Sequence, residues 1–221
     1  MGVRGGKGSG QGPEALPPRG ASERWGIIRR SALPRAILPE SRLKELLEIL
    51  VLMSSKKGEV KNQVELLLDM CEQIVKTLAG IFGVKNDEVA ILLLSRDGKH
   101  LNFAAPRKLA SLGSIPVTKR DSIAIAVLQR TTGEVLNSVP SVRHVTFFET
   151  IKLRDKAIPI QKMISVPILH DGKAIGVAQI SRKGDTPAQA GADFTSADLA
   201  KAQEIFGDIA RFLVKARPDK Y

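Results

Sequence analysis

Residues 161–183, QKMISVPILHDGKAIGVAQISRK, and beyond a polar loop residues 194–213, FTSADLAKAQEIFGDIARFL, decide the fold. In the first segment two apolar runs, 163–169 and 173–182, flank Asp171-Gly172. That dipeptide suits a two-residue hairpin turn, whose central positions both take positive φ. Pro167 has no amide hydrogen, so its strand is expected to meet an edge, a bulge or solvent at that point. Gly176 sits inside a strand pattern and predicts close approach of a neighbouring backbone. In the second segment Thr195 opens a helix, with Asp198 three residues on as a shortened capping box. Leu199, Ala202, Ile205, Phe206, Ile209, Phe212 and Leu213 then recur at helical spacing until Pro218.

Working outward, a helix is expected after Pro39, with Ser41 as N-cap and Leu43, Leu46, Leu47, Leu50 and Val51 on one face. Cationic side chains and Gly58 should stop it. A second helix is expected from about Val60 to Phe82, carrying Val64, Leu67, Leu68, Cys71, Ile74, Val75 and Leu78 on one side. Residues 89–95 are almost continuously aliphatic and β-branched, the mark of a central strand covered on both faces. Asp97-Gly98 turns the chain into a return strand at 99–105, with Leu101 and Phe103 on one face. Pro106, Arg107 and Lys108 read as a loop. A third helix, capped by Asp121 or Ser122, runs to Thr132-Gly133, and residues 134–139 form a short strand. Residues 140–160 read as a loop with a short helix around 146–153. The series is α+β with an antiparallel sheet.

This order resembles the GAF domain family. The resemblance is carried by Ser165, Val166, Pro167 and Ile168, by the turn at Gly172, by Ile175, Gly176 and Val177, and by the helix start at Phe194, Thr195, Asp198 and Leu199. Residues 43–57 (LKELLEILVLMSSKK) and the hairpin at 89–105 extend it over roughly residues 42–215. The resemblance implies a six-stranded antiparallel sheet with the terminal helices on one face. On the other face, short helices would enclose a ligand pocket. It also implies a sensor or regulatory module, with dimers commonly formed through the terminal helices.

Composition bounds these readings. A chain of 221 residues with 43% hydrophobic content can bury one domain plus an appendage. Residues 1–38, rich in Gly, Pro and Arg without sustained periodicity, are expected to be a disordered basic tail, leaving the GAF domain with its helical lead-in at 39–218. Net charge is +11; residues 1–58 carry 11 Lys or Arg against 5 Asp or Glu, and residues 59–221 carry 23 against 18. Such a basic excess reads first as a solvated surface, and second as loose attraction to nucleic acid. No run approaches the roughly 18 apolar residues of a membrane span, so no membrane partner is expected. Gly6 stands where a myristoylation signal carries Ser or Thr, and Pro34 and Pro39 interrupt any export core after Arg29-Arg30. With one cysteine and no export signal, a reducing cytoplasm is the expected location.

The residues offer little for catalysis. His100 opens a strand, His170 adjoins a turn and His144 lies in the loop; no pair has metal-ligand spacing. Cys71 falls on the apolar stripe of a helix, where burial makes a thiol inert. GAF proteins that reduce free methionine sulfoxide use several cysteines, and bilin-carrying ones attach the chromophore near the pocket; a single core cysteine supports neither. Phe82 with Asp87-Glu88 has the wrong spacing for the cyclic-nucleotide pattern. No enzyme and no cofactor are expected.

The candidate ligand site is the pocket-side segment. Arg143, His144, Phe147, Phe148, Lys152 and Arg154 set two adjacent aromatics among cations, which suits a flat anionic ligand through stacking and charge-assisted hydrogen bonds. Phe103, Arg107 and Lys108 are expected to approach from the neighbouring hairpin. The competing reading has one phenylalanine plugging the cavity while the charges face water. Since no output domain is expected after the last helix, signalling would pass through a separate partner or a homodimer. A ligand-free dimerisation scaffold and a nucleic-acid-associated regulator stay open as alternatives.

Overall fold

The computed structural model describes residues 39–55, 62–110, 113–142 and 158–218. The expected tail at 1–38, the end of the first helix beyond residue 55 and the short helix around 146–153 lie outside these residues. Helix α1 spans Pro39–Ser55 and α2 spans Gln63–Phe82. Helix α1 begins at Pro39, two residues before the expected cap at Ser41; proline suits a first helical position, where an amide donor has no intrahelical partner. Helix α2 begins at Gln63 rather than near Val60, because Asn62 supplies the cap: its Oδ1 accepts the amides of Val64 at 3.1 Å and Glu65 at 3.3 Å. A cap of this kind is worth about 1 kcal/mol.

Strands β1 (Val89–Leu94) and β2 (His100–Ala105) form the first hairpin. The short helix α3 (Arg107–Ala110) replaces the expected loop, and β3 (Ser114–Pro116) adds an edge strand that the sequence reading omits. Helix α4 covers Ile123–Arg130 with Ser122 as its cap, and β4 is confined to Glu134–Leu136. Strands β5 (Ile160–His170) and β6 (Lys173–Lys183) make the long closing hairpin, and α5 runs over Ser196–Ala216.

All pairings are antiparallel, in the order β3-β2-β1-β6-β5-β4. The closing turn has Asp171 at φ 49° and Gly172 at φ 73°, as a two-residue hairpin requires. Strand β4 pairs with β5 only as far as Ser165, so on that side no described strand stands opposite Pro167 to miss its amide. The capping box of α5 is complete: Thr195 Oγ1 accepts the Asp198 amide at 3.1 Å, and Asp198 Oδ2 accepts the Thr195 amide at 2.8 Å.

Alternation along the strands divides the interior in two. Val89, Ile91 and Leu93, with Ile164, Val166, Ile168, Ala178 and Ile180, face α1, α2 and α5. Ala90 and Leu92, with Leu101, Phe103, Met163 and Val177, face the opposite way and pack under α4. Strand β1 is therefore buried on both sides, the reason it reads as unbroken aliphatic sequence. Cys71 lies fully buried in the helix-side core, where burial first and the neighbouring charge of Glu72 second push its thiol far up. Among the described residues no helix is long and apolar enough to cross a membrane.

Candidate functional site

The sheet face under α4 is largely apolar, and polar side chains cross it in a row. Strand registry places Glu134 of β4 opposite Ser165 of β5, Ser165 opposite Gln179 of β6, and Gln179 opposite Ala90 of β1. The row shares its face with Met163 and Val177, because residues two apart on a strand point the same way. Ser165 is 0% and Gln179 4% exposed. Polar groups buried this deeply cost free energy unless they are hydrogen-bonded. Their mutual bond, Gln179 Nε2 donating to Ser165 Oγ, measures 3.4 Å, beyond the usual range of about 2.7–3.2 Å for N–H···O. A carboxamide carries two donors and one acceptor, so the row retains capacity for a closer partner.

At the sheet edge the row ends in charge. Glu134 accepts from Arg130 Nη2 at 3.0 Å across one turn between α4 and β4. One row further in, Ser181 Oγ donates to the carbonyl of Glu88 at 3.0 Å, so that hydroxyl is committed to the fold. Carboxylate, hydroxyl and carboxamide thus follow one another along a line crossing three strands. Such a line can exchange hydrogen bonds with a small polar molecule.

Of the expected residues, Phe103, Arg107 and Lys108 lie among those the structure describes. Phe103 does lie on this face, 3% exposed in the core beneath α4. Arg107 does not reach it. Its guanidinium is held by helix α2 on the other side, Nη1 to Glu65 at 2.7 Å and Nη2 to Asp69 at 2.5 Å, while its amide donates to Glu72 at 2.6 Å. Glu65, Asp69 and Glu72 stand at i, i+4 and i+7, one acidic stripe that captures the cation. Lys108 lies 4.0 Å from Asp87. Arg143, His144, Phe147, Phe148, Lys152 and Arg154 fall outside the described residues.

Sequence reading did not select Glu134, Ser165 and Gln179 as site residues. The available signal was polarity inside otherwise apolar strands, Ser165 in KMISVPIL and Gln179 in GVAQIS. Their union into a row depends on register, which separate strand patterns do not encode.

Comparison with known proteins agrees with this architecture. The family model of the GAF domain matches residues 66–213. A search of curated protein sequences gives no match. Among solved structures, the GAF domain of an Acinetobacter phosphoenolpyruvate-protein phosphotransferase is similar, with a TM-score of 0.54 at 14% identity, covering 79% of this chain and 94% of that one. The corresponding domain from Coxiella burnetii gives 0.54 at 14% identity, with coverage of 79% and 96%. The free methionine-R-sulfoxide reductase of Neisseria meningitidis, solved with its substrate, gives 0.54 at 17% identity, with coverage of 85% and 95%. At these identities the likeness is one of fold.

Proposed function

Because the chain belongs to the GAF domain family, we propose that it is a non-catalytic regulatory module that binds a small polar molecule at the Glu134, Ser165 and Gln179 row. Occupancy would be reported through α1 and α5 to a separate output protein. The observation that carries this reading is the buried Ser165 and Gln179 pair, continued by half-buried Glu134, on a largely apolar face. It favours a ligand that both donates and accepts hydrogen bonds over one recognised by charge alone. The reductase likeness does not extend the proposal to catalysis, because Cys71 lies in the core on the other side of the sheet.

Titration of the full chain with a panel of nucleotides, nucleobases and amino acids, read by calorimetry and thermal shift, tests the reading. At least one class should bind, and Gln179→Leu should weaken it about tenfold, the value of one well-placed hydrogen bond. Arg107→Ala, altered on the other side of the sheet, should leave the affinity within about twofold. Equal binding by the Gln179 variant, or silence across the panel, rejects the row as a ligand site.

A second reading is favoured by α1, where Val51 is 53% and Leu52 63% exposed. Adjacent exposed aliphatics on a terminal helix suit pairing with a second copy, the dimerisation-module alternative. Light scattering of the full chain at micromolar concentration should give twice the monomer mass, and Leu52→Glu should return it to monomer. A native chain already monomeric there rejects this reading.

A further inference from the structure

Strand β4 is only three residues long, and it is tied to α5 at both ends. Before it, Gly133 lies so close to α5 that an added Cβ would stand 2.9 Å from Leu199 Cδ1 and 3.2 Å from Gln203 Nε2. After it, Asn137 closes a two-bond clamp on the backbone of Phe194: Nδ2 donates to the Phe194 carbonyl at 2.9 Å, and Oδ1 accepts the Phe194 amide at 2.9 Å. Phe194 immediately precedes the N-cap of α5. Its ring is buried in the helix-side core, with the Arg182 guanidinium 4.7 Å from the ring centroid, so it is fixed from both sides.

Val135, at the middle of the strand, packs against the helix-side core, whereas its two end residues belong to the opposite face. Glu134 begins the polar row and pairs with Arg130 of α4, and Leu136 packs against the core under α4. We infer that β4 with Asn137 is the mechanical link between the sensing face and the output helix, and that Asn137 is the positioning residue that passes a displacement of Glu134 to the start of α5. The inference rests on the row as the sensing face, but its mechanical part does not require a ligand. Two hydrogen bonds to one residue's amide and carbonyl fix both distance and direction, so Phe194 cannot stay still while β4 shifts.

The test is amide hydrogen exchange on the full chain, with Val127→Ala as the disturbance on the α4 side. Val127 is a fully buried residue of α4 in the core on that face, and trimming it loosens the packing of α4 over the row. With Asn137 present, Val127→Ala should speed exchange of Leu199 and the amides following it about fivefold or more, measured relative to the amides of α2; this is the lower edge of ordinary coupling between sites. In an Asn137→Ala background the same disturbance should change that ratio less than about twofold. Normalising to α2 removes any effect of general destabilisation, which would move both helices. Equal acceleration in the two backgrounds overturns the link. If Asn137→Ala fails to fold, Asn137→Asp keeps the acceptor for the Phe194 amide and removes the donor to its carbonyl. The acceleration should then be smaller than with Asn137, and an undiminished one overturns the link. Failure of the ligand panel with intact coupling would sink the sensor reading alone, whereas lost coupling with ligand binding preserved would sink the relay alone.

Discussion

Phe206→Ala should unfold at markedly lower denaturant than the native chain, with a loss of about 3–5 kcal/mol. Phe206 is fully buried on α5 and is among the bulkiest side chains of the helix-side core. Removing its ring forfeits the transfer energy of an aromatic side chain. It also leaves a cavity that Ile205, Ile209 and the strands beneath can fill only in part. Against a total stability of about 5–15 kcal/mol, that is about a fifth of the margin or more. Urea unfolding would read the loss directly, and the midpoint of thermal unfolding should drop by roughly 10 °C. Phe206→Leu keeps most of the volume and should cost less than half as much. A loss below about 1 kcal/mol for the alanine variant would mean that α5 is not seated on the sheet, and the output role proposed for it would fall too.

Gly176→Ala should cost about 3 kcal/mol even though it adds only a methyl group. An added Cβ at this position would lie 2.3 Å from the carbonyl oxygen of Leu92 and 3.2 Å from Leu93 Cα. Both are backbone atoms of β1 in registry with β6, so relief requires opening the central strand pair. The opposing gain, from reduced freedom of the unfolded chain, is only about 0.4–1 kcal/mol, and the clash prevails. Gly207 provides the contrast: it is exposed on α5 and nothing stands within 4 Å of its ideal Cβ position. There the same change should stabilise by about 0.5–1 kcal/mol, since glycine disfavours a helix interior. Parallel denaturation of the two variants decides the matter, and a tolerated Gly176→Ala would contradict the close approach of β1 to β6.

The elements that could be read in advance are those whose cause is local. The Thr195 and Asp198 box, the Asp171-Gly172 turn and the apolar stripe of α5 each depend on residues within one or two turns of chain. They appear in the structure at the expected positions. Strand β3 escaped because three residues, Ser114 to Pro116, are too few to display alternation. Helix α3 escaped because a loop rich in cations says nothing about the acidic stripe that receives it. Arg107 illustrates the limit: its charge was visible, but Glu65, Asp69 and Glu72 lie some 35 to 42 positions earlier along the chain.

Periodicity, caps and turn residues, all interactions between near neighbours, were therefore enough to establish an antiparallel α+β domain with its helices and strands in order. Pairing across the sheet created the rest. Glu134, Ser165 and Gln179 become one row only when three strands take their register, and Asn137 meets Phe194 only after β4 reaches the edge beside α5. Distances between residues far apart in the chain are set by packing, which acts on the folded whole and leaves no short-range pattern behind it.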